Sequence, residues 1–88
     1  MNLRFTPTFS ASFRKLSRSD KRAVLEALEH FQANRYDPSL RDHPLGGGMA
    51  GWRALVVDAD LRIVFAERND YADVTLLRVG THEDVYDR

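Results

Sequence analysis

Eighty-eight residues suffice for one compact domain, 1–88, and not for two. A chain with 43% hydrophobic and 30% charged residues reads as an ordinary globular domain, and the absence of cysteine excludes a disulfide scaffold and a thiolate zinc site. Net charge is zero, which argues against strong non-specific nucleic-acid binding, yet the charge is unevenly spread: Lys/Arg outnumber Asp/Glu eight to five in residues 1–44, and the reverse holds in 45–88.

Leu3 and Phe5 alternate with polar neighbours, so residues 2–6 read as a short strand that Thr6-Pro7 ends. The first seven residues hold no long apolar run, which predicts neither a signal peptide nor a membrane span and fits a cytoplasmic protein. Phe9, Phe13 and Leu16 share one face of a short helix. Ser19 reads as the N-cap of a second helix, in which Val24, Leu25, Leu28 and Phe31 recur at helical spacing up to a stop near Asn34. The short break predicts an antiparallel helical hairpin.

Residues 35–51, with Pro38, Pro44 and Gly46-Gly47-Gly48, read as an irregular connection of the kind that is usually functional or mobile. The glycine run lacks the context of a phosphate loop and reads as slack that lets the segment around His43 move. Three strands follow, over 52–57, 61–67 and 73–79, with links short enough for an antiparallel meander. Thr81 to Arg88 form a tail with room for one helical turn. The fold class is α+β, order β-α-α-β-β-β, with a helical hairpin packed on one face of a small, mainly antiparallel sheet.

Strict alternation sets Leu61, Ile63, Phe65, Leu77 and Val79 toward the helices. Arg62, Val64, Val74, Leu76 and Arg78 then share the opposite face, which reads as an open binding surface with two arginines among apolar residues.

Several segments resemble the RelE/ParE superfamily of toxins. Arg41-Asp42-His43-Pro44-Leu45-Gly46 resembles its "HPL-G" loop, and Gly51-Trp52-Arg53 the aromatic–arginine opening of its second strand. Leu61-Arg62-Ile63-Val64-Phe65 is similar to its arginine–hydrophobic strand, and Gly80-Thr81-His82 with Asp84 and Tyr86 to its C-terminal signature. The resemblance covers essentially the whole chain and is closest to the histidine-using, YafQ-like branch.

That branch implies a type II toxin that cuts mRNA in the ribosomal A site, without cofactor or metal, by attack of the ribose 2′-OH on the adjacent phosphate. Its functional positions fall on His43, Asp60, Arg78, His82 and Tyr86, and Arg62 matches the phosphate-binding arginine of the RelE-like branch. Val56 stands where the branch has a second histidine, and the lysine cluster of the RelE-like branch is missing.

The chemistry needs a base, an acid for the leaving 5′-oxygen and cations on the phosphate. His82 is the first candidate for acid or base, with His43 or Asp60 as its counterpart. Arg78 and Arg62 are the candidate phosphate ligands, and Tyr86 a stacking or orienting group. Each also has a plain reading: His82 and His43 as turn braces, the arginines as solvated or salt-bridged, Asp60 as a turn residue, Tyr86 as a core closure. His30 reads as a surface helix residue. The resemblance also implies a small antitoxin partner, hetero-oligomeric with the toxin, laying a helix or strand across the apolar groove and covering Arg62 or Arg78. A ParE-like inhibitor of DNA gyrase and an inactive antitoxin-binding relative are the alternatives.

Overall fold

Strand β4 (Leu61–Arg68) runs through the middle of the sheet, and its alternation sorts the molecule into two faces. In this computed structural model, which describes residues 1–86, the elements before it are β1 (Asn2–Phe5), α1 (Pro7–Arg14), α2 (Arg18–Ala33), β2 (His43–Pro44) and β3 (Arg53–Val56). β5 (Asp73–Thr81) and a short helix, α3 (His82–Tyr86), follow. Asp87 and Arg88, the end of the expected tail, lie outside the described residues. The sheet order is β1-β5-β4-β3-β2, antiparallel except where β1 lies parallel to β5. The expected α+β order holds, with β2 as an added short strand.

Both long helices begin where a side chain can cap them. Thr6 Oγ1 accepts from Phe9 N–H at 3.0 Å, and Pro7 follows at the first helical position, where it sacrifices no bond. Ser17, not Ser19, caps α2: its backbone is extended and its hydroxyl accepts from Asp20 N–H at 3.1 Å. Asp20 also sits in the first turn, where the helix dipole favours a negative charge.

The helices lay Phe9, Val24, Ala27, Leu28 and Phe31 on Leu55, Leu61, Ile63, Phe65, Val74, Leu76 and Val79 of the sheet. Phe31 is fully buried and meets Phe65 edge-on at 5.3 Å between centroids.

β5 departs from strict alternation. Val79 pairs with Ile63 and Arg78 with Val64, but Phe65 pairs with Leu76, so Leu77 is an extra residue in the ladder. A bulge shifts the phase of the strand by one residue. Val74 and Leu76 therefore turn inward and are fully buried, whereas Arg78 stays outward; alternation alone puts Val74 and Leu76 on the wrong face. Leu77 instead presents its carbonyl to the Thr6 hydroxyl, 3.1 Å away.

The second face is also less open than alternation implies. α3 folds back on β4 and β5, and Ala54, Val64 and Val85 are buried there. Residues 35–51 are not an irregular connection either: 3₁₀ turns at Pro38–Leu40 and Gly47–Met49 bracket β2. Asp37 caps the first turn by accepting from Ser39 N–H at 3.0 Å. The glycines come after β2, so His43 is held upstream of the slack. Among the described residues no helix is long and apolar enough to cross a membrane.

The bulge makes a direct prediction. Leu76→Ala should lower the unfolding free energy by about 2–5 kcal/mol, the range for truncating a buried leucine, and Leu77→Ala by distinctly less. Urea denaturation of the two variants checks this; the reverse order would contradict the register.

Candidate functional site

Residues that pair across a sheet share a face. One row therefore runs His43, Ala54, Val64, Arg78 across β2, β3, β4 and β5, and the next runs Val56, Arg62, Gly80. The first row puts His43 and Arg78 three strand intervals apart, ~14 Å at backbone level. A depression of about 420 Å³ opens at the His43 end and is lined by Arg41, His43, Leu45, Val56, Arg62, His82 and Tyr86. Four expected site residues, His43, Arg62, His82 and Tyr86, meet here, whereas Asp60 and Arg78 do not line it.

His43 is set by its own loop. Its Nδ1 lies 2.7 Å from Arg41 O, and a carbonyl can only accept, so Nδ1 carries a hydrogen and Nε2 is the free nitrogen of the neutral ring. Behind it stands Asp42, which accepts from Arg53 Nε at 2.7 Å and from the Tyr71 hydroxyl at 2.5 Å. These bonds tie the loop to β3 and to the β4–β5 turn. The Asp42 hydrogen bond holds the Arg53 guanidinium above its usual range. Burial first, then the bond to Asp42, pushes the Tyr71 phenol up to about 12.

His82 and Tyr86 come from α3, which is too short to hold itself together. A capping box starts it: Asp84 N–H donates to Thr81 Oγ1 at 3.1 Å, and Asp84 Oδ2 accepts from Thr81 N–H at 3.3 Å. Gly80 lets the helix come this close, since a Cβ there would stand 3.0 Å from the Asp84 Cβ. At the far end Arg78 NH1 donates to Val85 O at 2.9 Å, and Val85 is buried. The imidazole of His82 then meets the Tyr86 ring edge-on, 4.4 Å between centroids. Burial raises the Tyr86 phenol while nearby Arg62 opposes the shift, so Tyr86 is a neutral donor at pH 7.

Arg62 spreads NH1 over the β3–β4 turn, donating to Asp58 O at 2.7 Å and to Ala59 O and Leu61 O at 3.3 Å. Among the described residues its Nε and NH2 donate to nothing, which leaves one edge of the guanidinium for an anion. Asp60 contributes backbone instead: its carbonyl accepts the His82 N–H at 3.0 Å. Arg78, beyond its bond to Val85, lies 5.4 Å over the Trp52 ring. It holds α3 in place from outside the depression.

Three contributors go beyond the sequence reading. Thr81-His82-Glu83-Asp84 is a legible capping pattern, and Arg41 beside His43 is a legible cation. The Asp42–Arg53–Tyr71 tie has no local signal. Among the described residues no carboxylate lines the depression, and no three His, Asp or Glu side chains gather to hold a metal.

Tyr71 makes the tie sensitive to alkali. A folded pKa above the unfolded one favours the protonated native state, so the stability it brings is full below about pH 10. It is lost as pH rises through about 12. Tyr71→Phe should flatten that fall in urea midpoints measured across the range; an unchanged slope would remove Tyr71 as its source.

The family described as "Bacterial toxin of type II toxin-antitoxin system, YafQ" matches residues 1–87. No curated protein matches the chain significantly. The fold is similar to YafQ from E. coli strain BL21(DE3), with TM-score 0.77, 20% identity and 97% of each chain covered. A chain of the E. coli DinJ–YafQ complex gives TM-score 0.70, 19% identity and 97% of each chain. The YoeB/ParE toxin from Agrobacterium tumefaciens gives TM-score 0.70 and 21% identity over 93% of this chain and 99% of that chain. At these identities the structural likeness is one of fold.

Proposed function

The chain belongs to the YafQ family of bacterial type II toxin–antitoxin toxins, and from that membership we propose that it is an endoribonuclease that cuts mRNA on the ribosome, as a single toxin domain in the cytoplasm. The observation that carries this reading is the meeting of His43, His82, Arg62 and Tyr86 in one depression with no carboxylate among its described lining residues.

His43 Nε2 takes the proton of the ribose 2′-OH. The 2′-oxygen attacks the adjacent phosphorus as the P–O5′ bond breaks. His82, as imidazolium, gives its proton to the departing 5′-oxygen, leaving a 2′,3′-cyclic phosphate and a 5′-hydroxyl. The free edge of Arg62 holds the non-bridging oxygens as their charge grows. Tyr86 stacks on or orients the nucleotide. Asp60 and Arg78 act as positioning residues, through the His82 backbone and the end of α3. Val56 gives the depression an apolar wall in place of a second histidine. The reaction needs no metal in this scheme.

The antitoxin partner fits a different surface from the open sheet face that alternation implied. Phe5, Phe9 and Phe13 stack in a ladder at 5.7 and 6.2 Å, and with Leu25 and Leu28 they line an apolar groove. Phe5 and Leu25 are more than half exposed there, at 56% and 54%. Such a groove suits an amphipathic segment of a small antitoxin, and the Arg14 rim favours an acidic one.

Inducible expression without antitoxin, followed by mapping of mRNA 5′ ends, tests the reading. Wild type should arrest growth and cut within translated codons. His43→Ala and His82→Ala should each lower cutting about 10²–10⁴-fold, the range of general acid–base help, and Arg62→Ala about 10²–10³-fold, the range for removing one donor to the transition-state charge, with thermal midpoints unchanged. Asp60→Asn should retain cutting. Arrest without cuts would point to a target such as gyrase, and no arrest to a silent relative.

A further inference from the structure

We propose that a second depression, around the β2 edge of the sheet from the first, is a subsite for single-stranded RNA, in which Tyr36 stacks a base and Arg41 holds the phosphate leading to it. The inference rests on the nuclease reading of the His43–His82 site and extends it to the nucleotides flanking the cut.

Arg41 joins the two depressions because it lines both. Its backbone is left-handed, φ 48° and ψ 45°, a conformation that residues with a Cβ seldom adopt. The conformation is held on both sides: Arg41 N–H donates to Pro38 O at 3.2 Å, and Arg41 O accepts from His43. The same bend that fixes the His43 ring therefore fixes where the Arg41 side chain leaves the chain. Among the described residues Arg41 makes no ion pair.

Tyr36 is 72% exposed, the most exposed large hydrophobic side chain described. It is nevertheless ordered. Arg35 lies 4.2 Å from the centroids of both Tyr36 and Tyr71, wedged between the rings, and donates to the Tyr36 hydroxyl and to Asp70 Oδ1 at 2.7 Å. Tyr36 N–H donates to Asn34 Oδ1 at 3.0 Å. Arg35 thus backs one side of the ring and the other side stays open. A held aromatic face spares a stacking base the cost of ordering its platform.

The carboxylates of this depression are already engaged. Asp42 serves Arg53 and Tyr71, and Asp37 accepts from Ser39 N–H and its hydroxyl. What remains on offer is one cation and one aromatic face, the pair by which proteins hold single strands without reading their sequence.

The test uses 2′-O-methyl oligonucleotides, which cannot be cut, with binding to the purified toxin followed by fluorescence anisotropy. Wild type should bind a hexamer more tightly than a dimer. Tyr36→Ala should weaken the hexamer about 5- to 100-fold and leave the dimer unaffected, while Tyr36→Trp should retain hexamer binding. Arg41→Ala should reduce the salt dependence of hexamer binding by about 0.7 in the log–log slope, as for one lost phosphate contact on a single strand. Equal hexamer binding by wild type and Tyr36→Ala, with an unchanged salt slope in Arg41→Ala, would overturn the subsite and leave the nuclease reading intact if His82→Ala still abolishes cutting. Failure of wild type to bind the hexamer would overturn the subsite; the nuclease reading falls separately, if wild type arrests growth without cutting mRNA.

Discussion

The pairing of β5 with β4 around Leu77 is the constraint on which the rest of the molecule depends. On one side of the bulge Val74 and Leu76 enter the helix-facing core with Phe65, and on the other Val79 joins Ile63 there. Between them Arg78 is left on the opposite face beside Val64. From that position it reaches the last turn of α3, which could not stand alone, and α3 in turn presents His82 and Tyr86. A core-packing device thus sets the place of two candidate site residues outside the core.

The second half of the site is placed by a different logic. His43 stands on a two-residue strand at the sheet edge, where pairing with Ala54 gives its height and the Asp42 tie gives its lateral position. Its ring direction comes from the Arg41 carbonyl. The candidate site therefore bridges two supports: β2, paired to β3, and α3, tied to the β3–β4 turn by the Asp60 carbonyl. Charge follows the same division. A chain with zero net charge presents an anion-friendly depression because its acidic side chains are used elsewhere: Asp42 on Arg53, Asp58 on the β3–β4 turn, Asp84 on the α3 cap. Local arrangement outweighs the total here, since exposed charges beyond about 10 Å are screened.

Much of this was legible in the amino-acid order. Phe9–Phe13, Val24–Leu28–Phe31 and Leu61–Ile63–Phe65 announce their elements through spacing alone, because helix and strand periods are local. Four of the candidate residues, His43, Arg62, His82 and Tyr86, were nameable from the family-like segments. The Leu77 bulge was not legible, since it is decided by which residues of β4 lie opposite. Nor was the cover over Val64, which requires α3 to fold back, or the Tyr71–Asp42 bond across 29 residues. The Ser17 cap and the Thr81–Asp84 box were written in local pattern. Ser19 stands nearer to the apolar run, but Ser17 has the extended backbone that a cap needs.

The central claim is that the 2′-oxygen of the substrate does the cutting, with two histidines moving the protons. A single 2′-deoxy nucleotide placed at the cleaved position of an mRNA programmed into ribosomes tests it most directly. The account predicts that this one change abolishes cutting there, while the all-ribose message yields a 2′,3′-cyclic phosphate and a 5′-hydroxyl. Cutting that persists at the deoxy position, or products that carry a 5′-phosphate, would contradict it.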